Sequence, residues 1–216
     1  MRPINKNNTR LTKRQLQAIE TKKKIYDAAV QVINEKGFGN VSIEDITTRA
    51  NVAKGSFYTY FTSKEDLLFD TFRQSDAVYA QAFAQVQDED FLPMVTRFVK
   101  ISYTEYEKRG KGIIKAIVAN YFTFPDNNFY GEDRDLLKCL THIVTKGKLQ
   151  NRLSDQVPTA HYVSLLLSTL IGVEVMWCID DRGSRLADMA ADAIEVAARG
   201  MMQTPAQHSP LKKDLH

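Results

Sequence analysis

Between Gly37 and Ser63 the chain carries start and stop signals for helices at a density found nowhere else in its 216 residues. Upstream, Ile25, Ala28, Ala29, Val32 and Ile33 recur at three- and four-residue steps, which puts one apolar stripe down a helix. Gly37 follows Lys36 as a C-cap, with Phe38 placed to fold back on the last turn. Ser42 then reads as an N-cap, Asp45 closes a capping box, and Val41 can staple onto Ile46. Asn51 tolerates a left-handed backbone and ends this second helix near Ala50. A third helix is predicted from near Ala53 to Phe61, and Ser63 with Asp66 opens a fourth whose apolar side is Leu67, Leu68 and Phe72. Helices this short must be locked together by apolar residues, and Ile46, Val52, Phe57 and Tyr60 supply the lock.

Two short helices joined by a three- or four-residue turn form a helix-turn-helix, whose second helix can enter the DNA major groove. The stretches "IYDAAVQVINEKGFGNVSIEDI" and "ANVAKGSFYTYFTSKEDLL" also resemble, in order and spacing, the N-terminal domain of TetR-type transcriptional regulators. The resemblance covers about residues 21–68 and is carried by the Phe-Gly turn, the Lys-Gly-x-Phe-Tyr-x-Tyr-Phe run and the Ser-Lys-Glu opening of the fourth helix. It implies that Ser42, Tyr58, Tyr60 and Lys64 meet the DNA backbone, and that Lys54, Ser56 and Thr59 lie nearest the base edges, with Gly55 on the same face. Three positions depart from the pattern: Thr47 for a small residue, Asn51 for the turn glycine, and Ala53 for a serine that caps the recognition helix.

Elementary chemistry supports part of this assignment. A lysine ammonium such as that of Lys54 can reach guanine O6 or N7. Lys64 stands in the first turn of its helix, where a phosphate would be held by the ammonium and the free N–H groups together. Tyr58 offers a hydroxyl to phosphate, while Phe57 and Phe61, four apart, are core. Plainer readings stay open: Ser56 and Thr59 as ordinary surface residues, Lys64 as a solvated lysine. A Walker-type phosphate loop is excluded, because neither its residue order nor its preceding strand is present.

Downstream the period stays helical, with helices predicted near 90–108, 111–123, 133–150, 158–180 and 185–202. Breaks are expected at Pro93, Gly110/Gly112, 125–128, Pro158 and 180–183. No useful strand alternation occurs. The chain therefore reads as all-α: a flexible basic arm (1–15), a three-helix helix-turn-helix DNA-binding domain (16–70), a larger helical domain for ligand binding and dimerisation (71–203), and a flexible tail (204–216). "YVSLLLSTLIGVEVMWCI" is apolar nearly all round, and "RLADMAADAIEVAARGMM" presents small residues that permit close helix approach. The family resemblance implies that this pair builds a four-helix homodimer interface and that a small-molecule effector pocket lies in the same domain. Its candidate lining is Tyr103, Tyr106, Tyr121, Phe122, Phe124, Phe129, Tyr130, His142, Glu174 and Trp177, a set that an ordinary helical core would also contain. Cys139, His142 and His161 are of metal-ligating type, but lone residues of these types are more often structural; no metal and no cofactor is expected.

Charge is unevenly spread. Residues 1–70 carry a net +4 and the remainder −1, so the first third is the surface for a polyanion. Arg2, Lys6, Arg10, Lys13 and Arg14 are placed to follow phosphates or to be merely solvated. Two cysteines are too few for a disulfide framework, the N-terminus has no apolar signal core, and Glu174 interrupts the one stretch of near-spanning length; the expected place is the cytoplasm, without a membrane. The expected function is a repressor that binds a palindromic DNA operator as a dimer and is released by an unidentified small molecule. An activator or nucleoid-associated protein of the same fold is the alternative. No nucleophile–base arrangement supports an enzyme, and a module for acidic protein partners is the remaining rival.

Overall fold

In the computed structural model, residues 12–122 and 133–203 are described, and among them the regular structure is ten α-helices and one 3-10 turn. They run α1 (Lys13–Lys36), the 3-10 turn Phe38–Asn40, α2 (Ile43–Ala50), α3 (Lys54–Tyr58), α4 (Lys64–Arg73), α5 (Ser75–Ala84), α6 (Phe91–Glu107), α7 (Lys111–Ala119), α8 (Asp135–Leu149), α9 (Thr159–Ile179) and α10 (Leu186–Met201). The chain divides into two units: residues 12–74 with 108–122, and residues 75–107 with 133–203. Residues 108–122, expected in the second domain, therefore group with the first, because α7 packs on α1 and α4.

In the first unit the helix ends form as their residues dictate. Ser42 accepts from Asp45 N–H at 3.1 Å and the Asp45 carboxylate accepts from Ser42 N–H at 2.9 Å, a complete capping box. Val41 and Ile46 are both buried beneath it. Asn51 takes φ 54°, ψ 50°, and the N–H of Val52 then reaches Thr47 O at 3.0 Å, satisfying a carbonyl at the helix end. Gly37 has φ 75°, a value a side chain would disfavour. Ile25, Ala28, Ala29, Val32, Ile33, Ile46, Phe57, Phe61, Leu67 and Leu68 make the core. Thr47 is buried without disturbing it, since its hydroxyl donates to Ile43 O at 3.0 Å.

Two predicted boundaries are corrected. The first helix begins at Lys13 rather than after the basic arm, because Thr12 and Gln15 form a capping box of their own. Pro93 does not break α6: it lies in the first turn, where the missing N–H has no intrahelical partner to lose. The remaining arm residues, the 204–216 tail and the 125–128 break lie outside the described residues.

The second unit is built on α6, which packs against α5, α8 and α10, with α9 between α8 and α10. Phe91, Met94, Val95, Phe98 and Val99 bury one face of α6. Glu107 joins two elements: its carboxylate accepts from Ala187 N–H at 3.2 Å in the first turn of α10, where a negative charge is favoured. Arg134, nearly fully buried, closes on Asp76 at 2.8 Å and ties the start of α8 to α5.

Candidate nucleic-acid interface

The α2–α3 pair sorts its side chains by face. Phe57 and Phe61 are buried with ring centroids 5.5 Å apart, while Tyr58 is 52% exposed and meets Phe57 only edge-on. Lys54, Gly55 and Thr59 are exposed, and Ser56 and Tyr60 are half-buried. A Cβ built on Gly55 meets nothing within 4 Å, so the backbone there is open to close approach. Ala53 precedes α3 with no side-chain cap. The seven residues Lys54–Tyr60 thus keep an apolar side against the core and a polar side toward solvent.

Several of the polar groups are engaged within the unit. Ser42 is exposed but engaged: its hydroxyl donates to Asp45 at 2.8 Å. Thr59 donates to Gly55 O at 3.2 Å. Lys54 pairs with Glu44 on α2, Lys36 with Asp45 at 2.6 Å, and Arg49 forks onto Glu35 at 2.7 and 2.8 Å. These pairs hold the Glu44, Asp45 and Glu35 carboxyls below the ordinary carboxylate range, in each case first through the hydrogen bond from the basic partner. Lys64 differs from its reading as a solvated lysine. It is half-buried, donates to Phe38 O at 3.1 Å and Val41 O at 3.0 Å, and lies 4.7 Å from the Phe38 ring centroid. The ammonium thus pins the turn that leads into α2, which explains why a lysine is needed whether or not it also meets DNA.

Sequence reasoning did not place the start of α1 beside this surface. Arg14, Gln17, Ala18 and Thr21 line an open notch of about 280 Å³ together with Ser56, Thr59 and Tyr60. The signal was available in Thr12-x-x-Gln15, a capping-box spacing that extends α1 to Lys13 and so carries Arg14 to the recognition helix.

The described residues proposed to line an effector pocket fall in both units. Tyr103 and Tyr106 are buried with ring centroids 5.9 Å apart, and the Tyr103 hydroxyl donates to buried Glu174 at 2.7 Å. Trp177 is buried one turn further along α9, its indole N–H donating to Ser184 O at 2.7 Å. Tyr121 and Phe122 belong instead to the first unit, and Phe122 is 95% exposed. His142 is on the exposed side of α8, edge-on to Phe83 at 5.0 Å, while Cys139 turns inward and its thiol is pushed up to about 12 by burial. Phe124, Phe129 and Tyr130 lie outside the described residues. Among the described residues no group of three His, Cys, Asp or Glu could hold a metal ion.

A buried helix pair that presents a short polar recognition helix, followed by a larger all-helical unit, defines a helix-turn-helix DNA-binding protein with a separate regulatory domain. Residues 25–71 match the sequence profile of the bacterial regulatory proteins of the tetR family. It is 51% identical over 45 residues to the HTH-type transcriptional regulator YvdT of Bacillus subtilis, a match spanning 21% of this chain and 23% of that protein. Similarity to the fatty acid metabolism regulator protein of Bacillus subtilis is weaker but longer, 22% over 185 residues, covering 82% of this chain and 93% of the relative. The fold is that of the fatty acid degradation regulator FadR from Bacillus halodurans, with a TM-score of 0.68 at 20% identity over 84% of this chain and 96% of that one. FadR from Bacillus subtilis, solved in complex with stearoyl-CoA, gives 0.66 at 19% identity over 83% of this chain and 98% of its own.

Proposed function

We propose that this chain represses transcription in the cytoplasm by binding a palindromic operator as a homodimer, and that a small molecule bound in the helical domain releases it. The observation that carries the reading is the face of α3: Lys54, Gly55, Tyr58 and Thr59 open to solvent above a fully buried Phe57. On this reading Lys54, Ser56 and Thr59 address base edges, and Ser42, Tyr58, Tyr60 and Lys64 address the backbone, Lys64 chiefly by holding the turn before α2.

Dimerisation is supported by the last two helices. On α9, Leu165, Ser168, Gly172, Met176 and Ile179 repeat at helical spacing and are all exposed, and Val196 and Gly200 are exposed on α10. Ile179 is 67% exposed and Met176 59% on α9, and Val196 is 73% exposed on α10, apolar side chains left open on helices otherwise packed into their unit. Gly172 and Gly200 have open space where a Cβ would stand, which suits close approach by a second helix pair. The contact would be isologous, so one stripe serves both subunits.

For the effector, the Tyr103–Glu174 pair sets a buried polar point inside the helical unit. FadR proteins of this fold from Bacillus subtilis and Thermus thermophilus were solved with stearoyl-CoA and lauroyl-CoA, so long-chain acyl thioesters are the first effectors to try. Selection of bound duplexes from a random library, followed by anisotropy titration with and without acyl-CoA, tests the proposal. Sequence-selective binding at physiological salt that weakens with acyl-CoA is expected. By linkage, operator must weaken acyl-CoA binding by the same factor. Binding indifferent to sequence and to every effector would favour the nucleoid-associated alternative.

A further inference from the structure

Glu44 is an odd residue to find beside a DNA-binding helix. It lies in the first turn of α2, its side chain 61% exposed, and its partner is Lys54, the first residue of the recognition helix, itself 53% exposed. The neighbouring carboxylates are taken by other bases: Asp45 by Lys36 and the Ser42 cap, Glu35 by Arg49. Glu44 alone in this cluster is tied to α3. So exposed a pair does little to hold α2 against α3, a task already performed by Ile46, Val52 and Phe57.

Its consequence is electrostatic. An unpartnered lysine on this face would attract any phosphate, adding to binding that is indifferent to sequence. Glu44 balances that ammonium, and the hydrogen bond from Lys54 holds the Glu44 carboxyl below its ordinary range. To meet DNA, Lys54 must exchange this carboxylate for another acceptor while Glu44 finds a donor or is repelled. A phosphate supplies acceptors only and repels Glu44. A G·C pair in the major groove supplies both, with guanine O6 and N7 for the lysine and cytosine N4–H for the carboxylate.

We infer that Glu44 is a specificity-determining residue, which withholds Lys54 from the phosphate backbone and allows the pair to engage only where a guanine and a cytosine edge lie together. The inference rests on the proposed operator binding. Full-length wild type, Glu44→Gln, Lys54→Met and the double variant are compared on a library-selected duplex and on a scrambled duplex of equal composition, each across a salt series. Glu44→Gln should tighten scrambled binding by about fivefold and steepen the log–log salt slope by about 0.9, as one further phosphate contact would. Selectivity falls accordingly, and Lys54→Met lowers it too. In the Lys54→Met background Glu44→Gln removes only the carboxylate's own repulsion, so it should raise scrambled affinity by clearly less than in the wild-type background and leave the salt slope nearly unchanged, and matched thermal melts by circular dichroism establish that all four chains are folded.

An equal gain of scrambled affinity in both backgrounds overturns the inference, because Glu44 would then act as a general negative charge. So does an unchanged scrambled affinity in Glu44→Gln. A wild type without sequence preference defeats the operator reading itself, and that result is read before any variant is made.

Discussion

Gly112→Ala sets two effects of opposite sign against each other. Gly112 is the second residue of α7, and alanine there would favour the helix by about 0.8–1.0 kcal/mol on intrinsic propensity. The space decides otherwise. A Cβ at this position would lie 2.7 Å from Asn34 Cα, 2.8 Å from Asn34 Oδ1 and 2.9 Å from Ile33 O. Ordinary carbon contacts are about 3.5–4.0 Å, so the methyl intrudes by close to 1 Å. Two of the three atoms are backbone of α1 and cannot rotate away. Asn34 is itself committed, donating to Arg109 O at 2.8 Å and accepting from Ile113 N–H at 3.1 Å. Overpacking of this kind costs about 1–3 kcal/mol, and each hydrogen bond displaced adds about 1. The net expectation is a loss of about 1–3 kcal/mol, with the seam between α1 and α7 loosened. Urea unfolding followed at 222 nm measures it. A Gly112→Ala protein as stable as wild type, with an unchanged m-value, would refute the steric reasoning.

Met176→Glu places a charge in the exposed stripe of α9 and should convert the dimer to monomer in light scattering while leaving the helical circular dichroism intact; a persistent dimer would remove α9 from the interface. Glu35, Glu44 and Asp45 all have folded carboxyls below the ordinary range, so their contribution is present above the unfolded value of about 4 and lost as pH falls below it. Stability should therefore decline in acid titration from about pH 4 downward, and Asp45→Asn should flatten the decline. Cys139, with its thiol raised to about 12 by burial, should resist iodoacetamide at pH 8 in the folded protein and react on unfolding, as mass spectrometry would read.

Much of this molecule was legible because its signals are local. A capping box needs only residues i and i+3, so Ser42–Asp45 announced α2 from the sequence, and Asn51 announced its end. The split of α3 into a buried Phe57 side and an exposed Tyr58 side followed from helical spacing within seven residues. The partner of Tyr103 was not legible, since it depends on which helices meet: Tyr103 found Glu174, 71 residues away.

The sequence by itself determined the all-helical class and the helix-turn-helix, because hydrophobic period and caps act over a few residues; it did not announce α5 (Ser75–Ala84), which no predicted helix covers. Tertiary structure alone decided that α7 joins the DNA-binding unit, that Lys64 turns back onto the Phe38 and Val41 carbonyls, that the start of α1 flanks the recognition helix, and that Glu44 holds Lys54. Each of these depends on distances between segments that no local pattern encodes. An ammonium takes whichever carbonyl or carboxylate the packed helices bring within about 3 Å of it.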